Sequence, residues 1–210
     1  ELTMAAVANG LALHGGVIPV VGTFFVFSDY MKPAVRLAAL MQLPVIYIWT
    51  HDAFRVGEDG PTHQPVEQEA QIRLLEHLRN HHGDRSMLVL RPADGTESVV
   101  GWKMALENRT TPTALILSRQ GIADVPAREG SDRFTDALQA PKGAYIVKDC
   151  KEIPDVTLVA SGSEVSTLLE GAALLEERDQ LNVRVVSVIS EGRFMDQDPA
   201  YRESVIPSAL

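Results

Sequence analysis

Apolar residues in this chain fall into short runs punctuated by Gly, Pro and Asp, and the spacing changes from run to run. Met4 to Leu13 is rich in small residues and closes on Gly15-Gly16, which predicts a helix with a glycine stop. Pro33 to Gln42 predicts a second helix with Pro33 in its first turn. Val35, Leu37, Ala38, Ala39, Leu40 and Met41 make that helix apolar nearly all round, so it is expected to be buried. Pro44–Trp49 is a continuous apolar run with three β-branched residues, the pattern of a strand covered on both faces. Val66, Ala70, Leu74 and Leu78 recur every fourth residue and predict an amphipathic helix reaching about Asn80. Met87–Leu90 and Ala114–Leu117 read as further strands, separated by a helix that Asp94 or Thr96 can cap and that runs to about Glu107. Strands alternating with helices predict an α/β fold, with a mostly parallel sheet flanked by helices.

The pattern weakens from about 121 to 142, where Pro126, Gly130, Pro141 and Gly143 suggest a linker. A second α/β unit follows, with strand Val156–Ala160, helix Glu164–Glu177 and strand Val183–Val188. One βαβ unit is too small to close a sheet, so this second domain is expected to be truncated. The absence of an initial Met and the ending just after a helix-like Asp198–Val205 stretch carry the same expectation. No internal repeat or low-complexity segment is visible.

Leu2 to Phe27 contains no Asp, Glu, Lys or Arg, which mimics a signal peptide or membrane span. No positive residue precedes it, Asn9, His14 and Thr23 are polar, and Gly15-Gly16 with Pro19 breaks a continuous helix. The segment therefore reads as a buried helix, a turn and a buried stretch. At 210 residues, with 45% hydrophobic and 22% charged, the chain can build a real core. Its net charge of −9 and lack of a Lys/Arg cluster argue against nucleic-acid binding. The single cysteine, Cys150, rules out an intrachain disulfide and suits a reducing compartment. Asn108-Arg109-Thr110 matches a glycosylation sequon, read as chance without a secretory signal.

The segment richest in chemistry is Thr50 to Pro65. It holds two His, three carboxylates and one Arg, Arg55, within sixteen residues, directly after a predicted parallel strand. Ligands of open α/β sheets bind beyond the carboxyl ends of strands. Histidine shuttles protons near neutral pH, and a neighbouring carboxylate can hold and charge it. Two glycines and two prolines fix the turns. From composition alone, a solvated surface loop fits equally well.

Within this segment, Gly57-Glu58-Asp59-Gly60-Pro61-Thr62-His63-Gln64-Pro65 resembles the signature of transketolases, shared with the dihydroxyacetone synthases. Glu1–Gly10 with His14-Gly15-Gly16, Thr23-Phe24 with Phe27 and Tyr30, Arg91-Pro92-Ala93-Asp94, Leu117-Ser118-Arg119-Gln120, Ala160–Glu164 and Tyr201–Val205 are similar to the same family. The resemblance implies a pyrimidine-binding domain over 1–122 lacking its N-terminal part, a linker over 123–143, and the beginning of the C-terminal domain over 144–210. It implies thiamine diphosphate as cofactor, with Mg2+ or Ca2+, and transfer of a two-carbon ketol unit between sugar phosphates in the pentose phosphate pathway. It also implies a cytoplasmic homodimer, or pairing with a complementary pyrophosphate-binding domain or subunit, with no membrane or nucleic-acid partner.

The resemblance gives each site residue a role. Glu1 would hydrogen-bond the aminopyrimidine ring nitrogen and act in catalysis, although nothing local in the sequence marks it. Phe24, Phe27 and Tyr30 would pack around the ring; simple core packing is the alternative. His63 would assist proton transfer beside the reacting carbon, and Asp59 would bind a sugar hydroxyl. His51 and Arg119 would bind the substrate phosphate; an exposed strand-end arginine is the other reading for Arg119. His77 and His81 are one helical turn apart, with His82 adjacent, a spacing that can hold a metal, but with no HExxH and no third clustered ligand they read as a solvated helix face.

Arg73 to Leu90 is longer than the family pattern and reads as an extended helix and a loop around His81-His82-Gly83-Asp84. Val188 to Arg193 departs from it too, which leaves the subfamily open. No Gly-Asp-Gly is present, so the diphosphate and its metal are expected on a domain absent from this chain. The fragment alone is expected to be inactive. A non-catalytic or split-subunit partner and a dihydroxyacetone synthase are the alternatives.

Overall fold

A computed structural model of the chain describes residues 1–54, 56–151 and 153–208. It resolves into two compact units, Glu1–Leu90 with Trp102–Gly121, and Arg91–Gly101 with Ile122–Leu210. The first unit contains α1 (Leu2–His14), β1 (Val20–Phe24), a 3-10 turn (Phe25–Phe27), α2 (Ser28–Leu40), β2 (Ile46–Thr50), α3 (Gln68–His77) and β3 (Leu88–Leu90). Helix α4 (Gly95–Glu107) contributes its second half to this unit, and β4 (Thr113–Leu117) completes it. Its sheet has the order β1-β2-β4-β3 and every pairing is parallel, as expected for this α/β class.

The continuous apolar runs become strands covered on both faces. Tyr47, Trp49, Val89, Ala114 and Ile116 share one face, and Ile46, Leu88, Leu90 and Leu115 are buried on the other. Trp49 stacks on Tyr47 at 5.3 Å and on Phe25 at 5.8 Å. Burial pushes the Tyr47 hydroxyl well above its usual pKa.

Helix α1 is not the buried helix expected. Only its small-residue face packs, through Ala5, Ala8 and the buried Asn9, while Leu2, Val7, Leu11 and Leu13 are exposed. Asn9 explains how a polar group fits here: its Nδ2 donates to the Ala34 carbonyl at 2.8 Å, pinning α1 to α2. The stretch after the turn is an edge strand, β1, with Val20 exposed.

Helix α2 begins five residues earlier than expected, so Pro33 lies inside it rather than in its first turn. Leu37 and Leu40 are exposed, so α2 buries one face only. Helix α3 stops at His77, short of the expected Asn80. Asn80 Oδ1 accepts from the backbone N–H groups of His82 at 2.9 Å and Asp84 at 3.0 Å, a local turn that competes with the helix. Gly83 supplies the positive φ of 87° that this turn needs. The turn is closed by an Arg79–Arg85 bridge, so the lengthened 73–90 segment is a short helix and a tight hairpin. The periodic stripe of Val66, Ala70, Leu74 and Leu78 faces outward, and Gln68, Ile72, Arg73 and Glu76 are the buried positions. Arg73 is held there by Glu76 at 3.0 Å and Glu69 at 3.2 Å.

The second unit contains α5 (Arg133–Ala137), a 3-10 turn (Ala140–Lys142), β5 (Ala144–Lys148), β6 (Val156–Ala160), α6 (Glu164–Asp179), β7 (Val183–Val188), α7 (Glu191–Met195) and α8 (Pro199–Val205). The sheet order is β5-β7-β6, with β6 parallel and β5 antiparallel to β7. The stretch expected as a linker therefore carries α5, capped by Asp132, whose side chain accepts from Thr135 N at 3.0 Å. Gly143 has φ 95°, and a Cβ there would lie 2.1 Å from the Phe194 nitrogen, so β5 and α7 meet only through a glycine.

This unit is organised around a buried carboxylate. Asp94, not Thr96, caps α4: its Oδ1 accepts from Glu97 N at 2.7 Å. Glu97 is fully buried, and one of its oxygens accepts from Tyr145 at 2.6 Å, Ser187 at 2.8 Å and Arg133 at 3.3 Å. Its other oxygen accepts from Ala93 N at 2.8 Å. Arg133 also reaches Asp94 at 2.6 Å. Burial alone would raise the Asp94 pKa, but the Arg133 guanidinium and the N–H groups of Glu97 and Val125 hold it below the usual range.

Two outcomes follow. Tyr145→Phe removes a donor from buried Glu97 and is expected to cost about 1–3 kcal/mol in urea unfolding; an unchanged midpoint would show that the network contributes nothing. Because Asp94 is depressed in the fold, it stabilises above its unfolded pKa of about 4 and this contribution fades as pH falls further. Asp94→Asn is expected to flatten the acid limb of a stability–pH profile relative to the parent.

Candidate functional site

Three parallel strands end in register. Phe24 closes β1 opposite Thr50 of β2, and Thr50 lies opposite Leu117 of β4. The residues that follow these ends, His51 and Ser118-Arg119, therefore emerge side by side at the carboxyl edge of the sheet. The Asp52 backbone N–H donates to the Leu117 carbonyl at 3.1 Å, fastening the start of the loop to β4. Buried Val56 anchors its middle, and His63 N donates to Gly60 O at 3.1 Å in a turn where Gly60 has φ 77°. Arg55 lies outside the described residues.

The aromatic residues form one connected group. Phe24 and Phe27 are parallel at 5.9 Å, and Phe27 meets Tyr30 at 5.9 Å. His51 stacks on Phe24 at 4.1 Å, and the His63 ring approaches edge-on, 5.3 Å from Phe27 and 6.1 Å from Phe24. Phe24 and Phe27 are half-buried and Tyr30 is exposed, so the group is an open aromatic shelf rather than closed core packing. Glu1 is exposed at one side, with Thr23 Oγ1 donating to its carboxylate at 3.4 Å.

The polar residues gather on the other side of His51. Asp59 Oδ2 lies 3.3 Å from Arg119 Nε and 3.7 Å from His51 Nε2. His51 has φ 64°, a left-handed backbone rare for a residue with a side chain, and the turn aims its ring across Phe24. Thr50 Oγ1 sits 3.2 Å from His51 Nδ1, and Thr62 Oγ1 sits 2.9 Å from His63 Nδ1. In both pairs a threonine engages Nδ1, leaving Nε2 for the site. Gly57 has φ 84°, and a Cβ there would come 3.3 Å from the Arg119 guanidinium, so the glycine provides that guanidinium's seat.

The fold thus brings Phe24, Phe27, His51, Asp59, His63 and Arg119 together, with Tyr30 at the edge of the shelf and Glu1 beside Thr23. Sequence reading gave no separate role to Thr50 or Thr62, and read Gly57 only as one of the glycines that fix the turns. The repeated Thr-His dipeptide was the available signal for the first two. His77, His81 and His82 lie away from this cluster, on α3 and the hairpin, with the His81 and His82 rings 4.1 Å apart. Among the described residues, no group of three or more His, Cys, Asp or Glu is placed to hold a metal. No helix among them is long and apolar enough to cross a membrane.

Comparison with known proteins identifies the family. The family described as "Transketolase, pyrimidine binding domain" matches residues 1–123. The chain belongs to the transketolase family. A second family, "Transketolase-like TK C-terminal domain", matches residues 143–210. The transketolase of Halalkalibacterium halodurans is 50% identical over 209 residues, covering 99% of this chain and 29% of its own length. The structure of transketolase from Leishmania mexicana superposes with a TM-score of 0.82 at 41% identity, over 98% of this chain and 28% of that one. A protein described as "Split gene transketolase, inactive beta4 tetramer" matches with a TM-score of 0.68 at 29% identity, over 90% of this chain and 54% of that one. The resemblance read from Gly57–Pro65 is borne out, and the chain spans about 29% of the length of its curated relative.

Gly57→Ala places a side chain on a left-handed backbone and against Arg119. Thermal unfolding is expected to show a loss of about 1 kcal/mol; an unshifted transition would mean that this backbone path is not required.

Proposed function

We propose that this chain supplies the pyrimidine-ring and sugar-phosphate half of a transketolase site, for transfer of a two-carbon ketol unit from a ketose phosphate to an aldose phosphate. The observation that carries the reading is the convergence of His51, Asp59, His63 and Arg119 on the Phe24–Phe27 shelf at the ends of three parallel strands. The shelf fits the aminopyrimidine of thiamine diphosphate: its Phe24 and Phe27 rings are parallel, apolar and open, and Thr23, the residue before Phe24, holds the Glu1 carboxylate. When bound, that cofactor supplies a nucleophilic carbon able to add to a ketose carbonyl.

The chain's own groups then divide the work. Phe24, Phe27 and Tyr30 bind and orient the ring. Glu1 holds a proton at the ring nitrogen, and Thr23 steadies its carboxylate. His63 presents Nε2 for proton transfer at substrate hydroxyls while Thr62 engages Nδ1. Asp59 accepts from a sugar hydroxyl, and His51 with Arg119 receives the phosphate. Mg2+ or Ca2+ and the diphosphate belong, in this reading, to a complementary domain or subunit. A homodimer is supported by Leu2, Val7, Leu11 and Leu13 of α1, large apolar residues that the chain itself leaves uncovered. A cytoplasmic setting is supported by the single cysteine. The pyrimidine-binding domain over 1–122, the linker over 123–143 and the C-terminal domain from 144 onward are the division we adopt.

A split-subunit arrangement, in which a separate chain brings the diphosphate-binding domain, is the second reading, favoured by the likeness to the split-gene protein. The test of the first is Glu1→Gln in the full-length enzyme. Ketol transfer is expected to fall by ~100-fold or more with the unfolding midpoint unchanged. Near-normal turnover would remove Glu1 from the mechanism.

A further inference from the structure

The anion-binding end of this site already holds an anion. Asp59 Oδ2 lies between the Arg119 guanidinium at 3.3 Å and His51 Nε2 at 3.7 Å, the two cationic or proton-bearing groups read as the phosphate site. The same oxygen is shielded from water yet has no hydrogen-bond partner among the described residues, so both contacts lie outside hydrogen-bond geometry. A dry carboxylate oxygen without a hydrogen bond is a costly arrangement. Arg119 is independently seated on Gly57, where the absence of a Cβ leaves room for its guanidinium. His51 is independently fixed by its stack on Phe24 and by Thr50 at Nδ1. Arg119 and His51 are therefore positioned without Asp59, and the carboxylate is the loosely held member of the group.

We infer that Asp59 is the resident counter-ion of the Arg119–His51 site, and that a phosphate ester binds there by exchange, displacing the Asp59 carboxylate from the guanidinium. The displaced carboxylate becomes free to accept from a hydroxyl of the same ligand, which couples capture of the phosphate to recognition of the sugar. This rests on the reading of Arg119 and His51 as the phosphate site.

The test uses inorganic phosphate as probe, titrated into the protein in phosphate-free buffer and followed by the histidine 15N side-chain shifts. Asp59→Asn is expected to bind phosphate about 2- to 5-fold more tightly than the parent, the range for releasing a partly exposed ion pair. Arg119→Gln is expected to abolish binding. Asp59→Ser repeats the measurement if the amide disturbs the loop, and circular dichroism confirms the fold of each variant. Equal or weaker binding by both Asp59 variants, with Arg119→Gln still losing phosphate, overturns the exchange and leaves the phosphate site standing. Absence of binding in the parent and the Asp59 variants, together with an unchanged sugar-phosphate KM for Arg119→Gln in the full-length enzyme, overturns both.

Discussion

The in-register parallel pairing of β1, β2 and β4 is the constraint on which the site depends. Phe24, Thr50 and Leu117 are cross-strand partners, so the chain leaves the sheet at three adjacent points on one edge. Each exit contributes different chemistry: an aromatic shelf from β1, a histidine and its loop from β2, an arginine from β4. A slip of one residue in any pairing would turn that strand's side chains to the opposite face. The double-sided burial of Ile46, Tyr47, Trp49, Ala114, Leu115 and Ile116 resists such a slip, and in this way the apolar core secures the polar cluster above it.

Much of this was legible in the sequence because the signals were local. A continuous apolar run with three β-branched residues, Pro44–Trp49, is comfortable as a strand covered twice. The Gly57–Pro65 motif carries its own turns and its own chemistry. The misreadings arose where apolar character did not correspond to burial. α1 packs through Ala5 and Ala8 and leaves Leu2, Val7, Leu11 and Leu13 outside, while α2 buries Met31, Ala34, Val35 and Ala38 and leaves Leu37 and Leu40 exposed. The stripe of Val66, Ala70, Leu74 and Leu78 had perfect helical spacing, and the fold turned it outward because salt-bridged Arg73 and Glu76 could be satisfied within the core. Asn80 ended α3 through side-chain hydrogen bonds that compete with the helix ladder. Strand β5 and helix α5 were hidden among Pro and Gly punctuation, where only the Asp132 cap marked an element.

In the candidate site, sequence named the groups that the fold brings together but not what holds them. Stacking of His51 on Phe24, and the seat that Gly57 gives Arg119, are contacts across the sheet edge that no local pattern encodes. The second unit shows the same logic in a different form. Glu97 is buried with four donors, and Asp94 with three, so burial that would otherwise be costly becomes a set of directional ties among α4, β5, β7 and α5.

The left-handed backbone at His51 has a consequence for any attempt to redesign the cluster. Most residues resist a φ of 64°, whereas Gly and Asn accept it readily. A library at this position would confound two losses, the imidazole and the path of the loop, for nearly every replacement. Asparagine separates them, since it preserves the path while removing the ring. It is the natural starting background from which second-site changes around Phe24 could be selected to reshape the cluster.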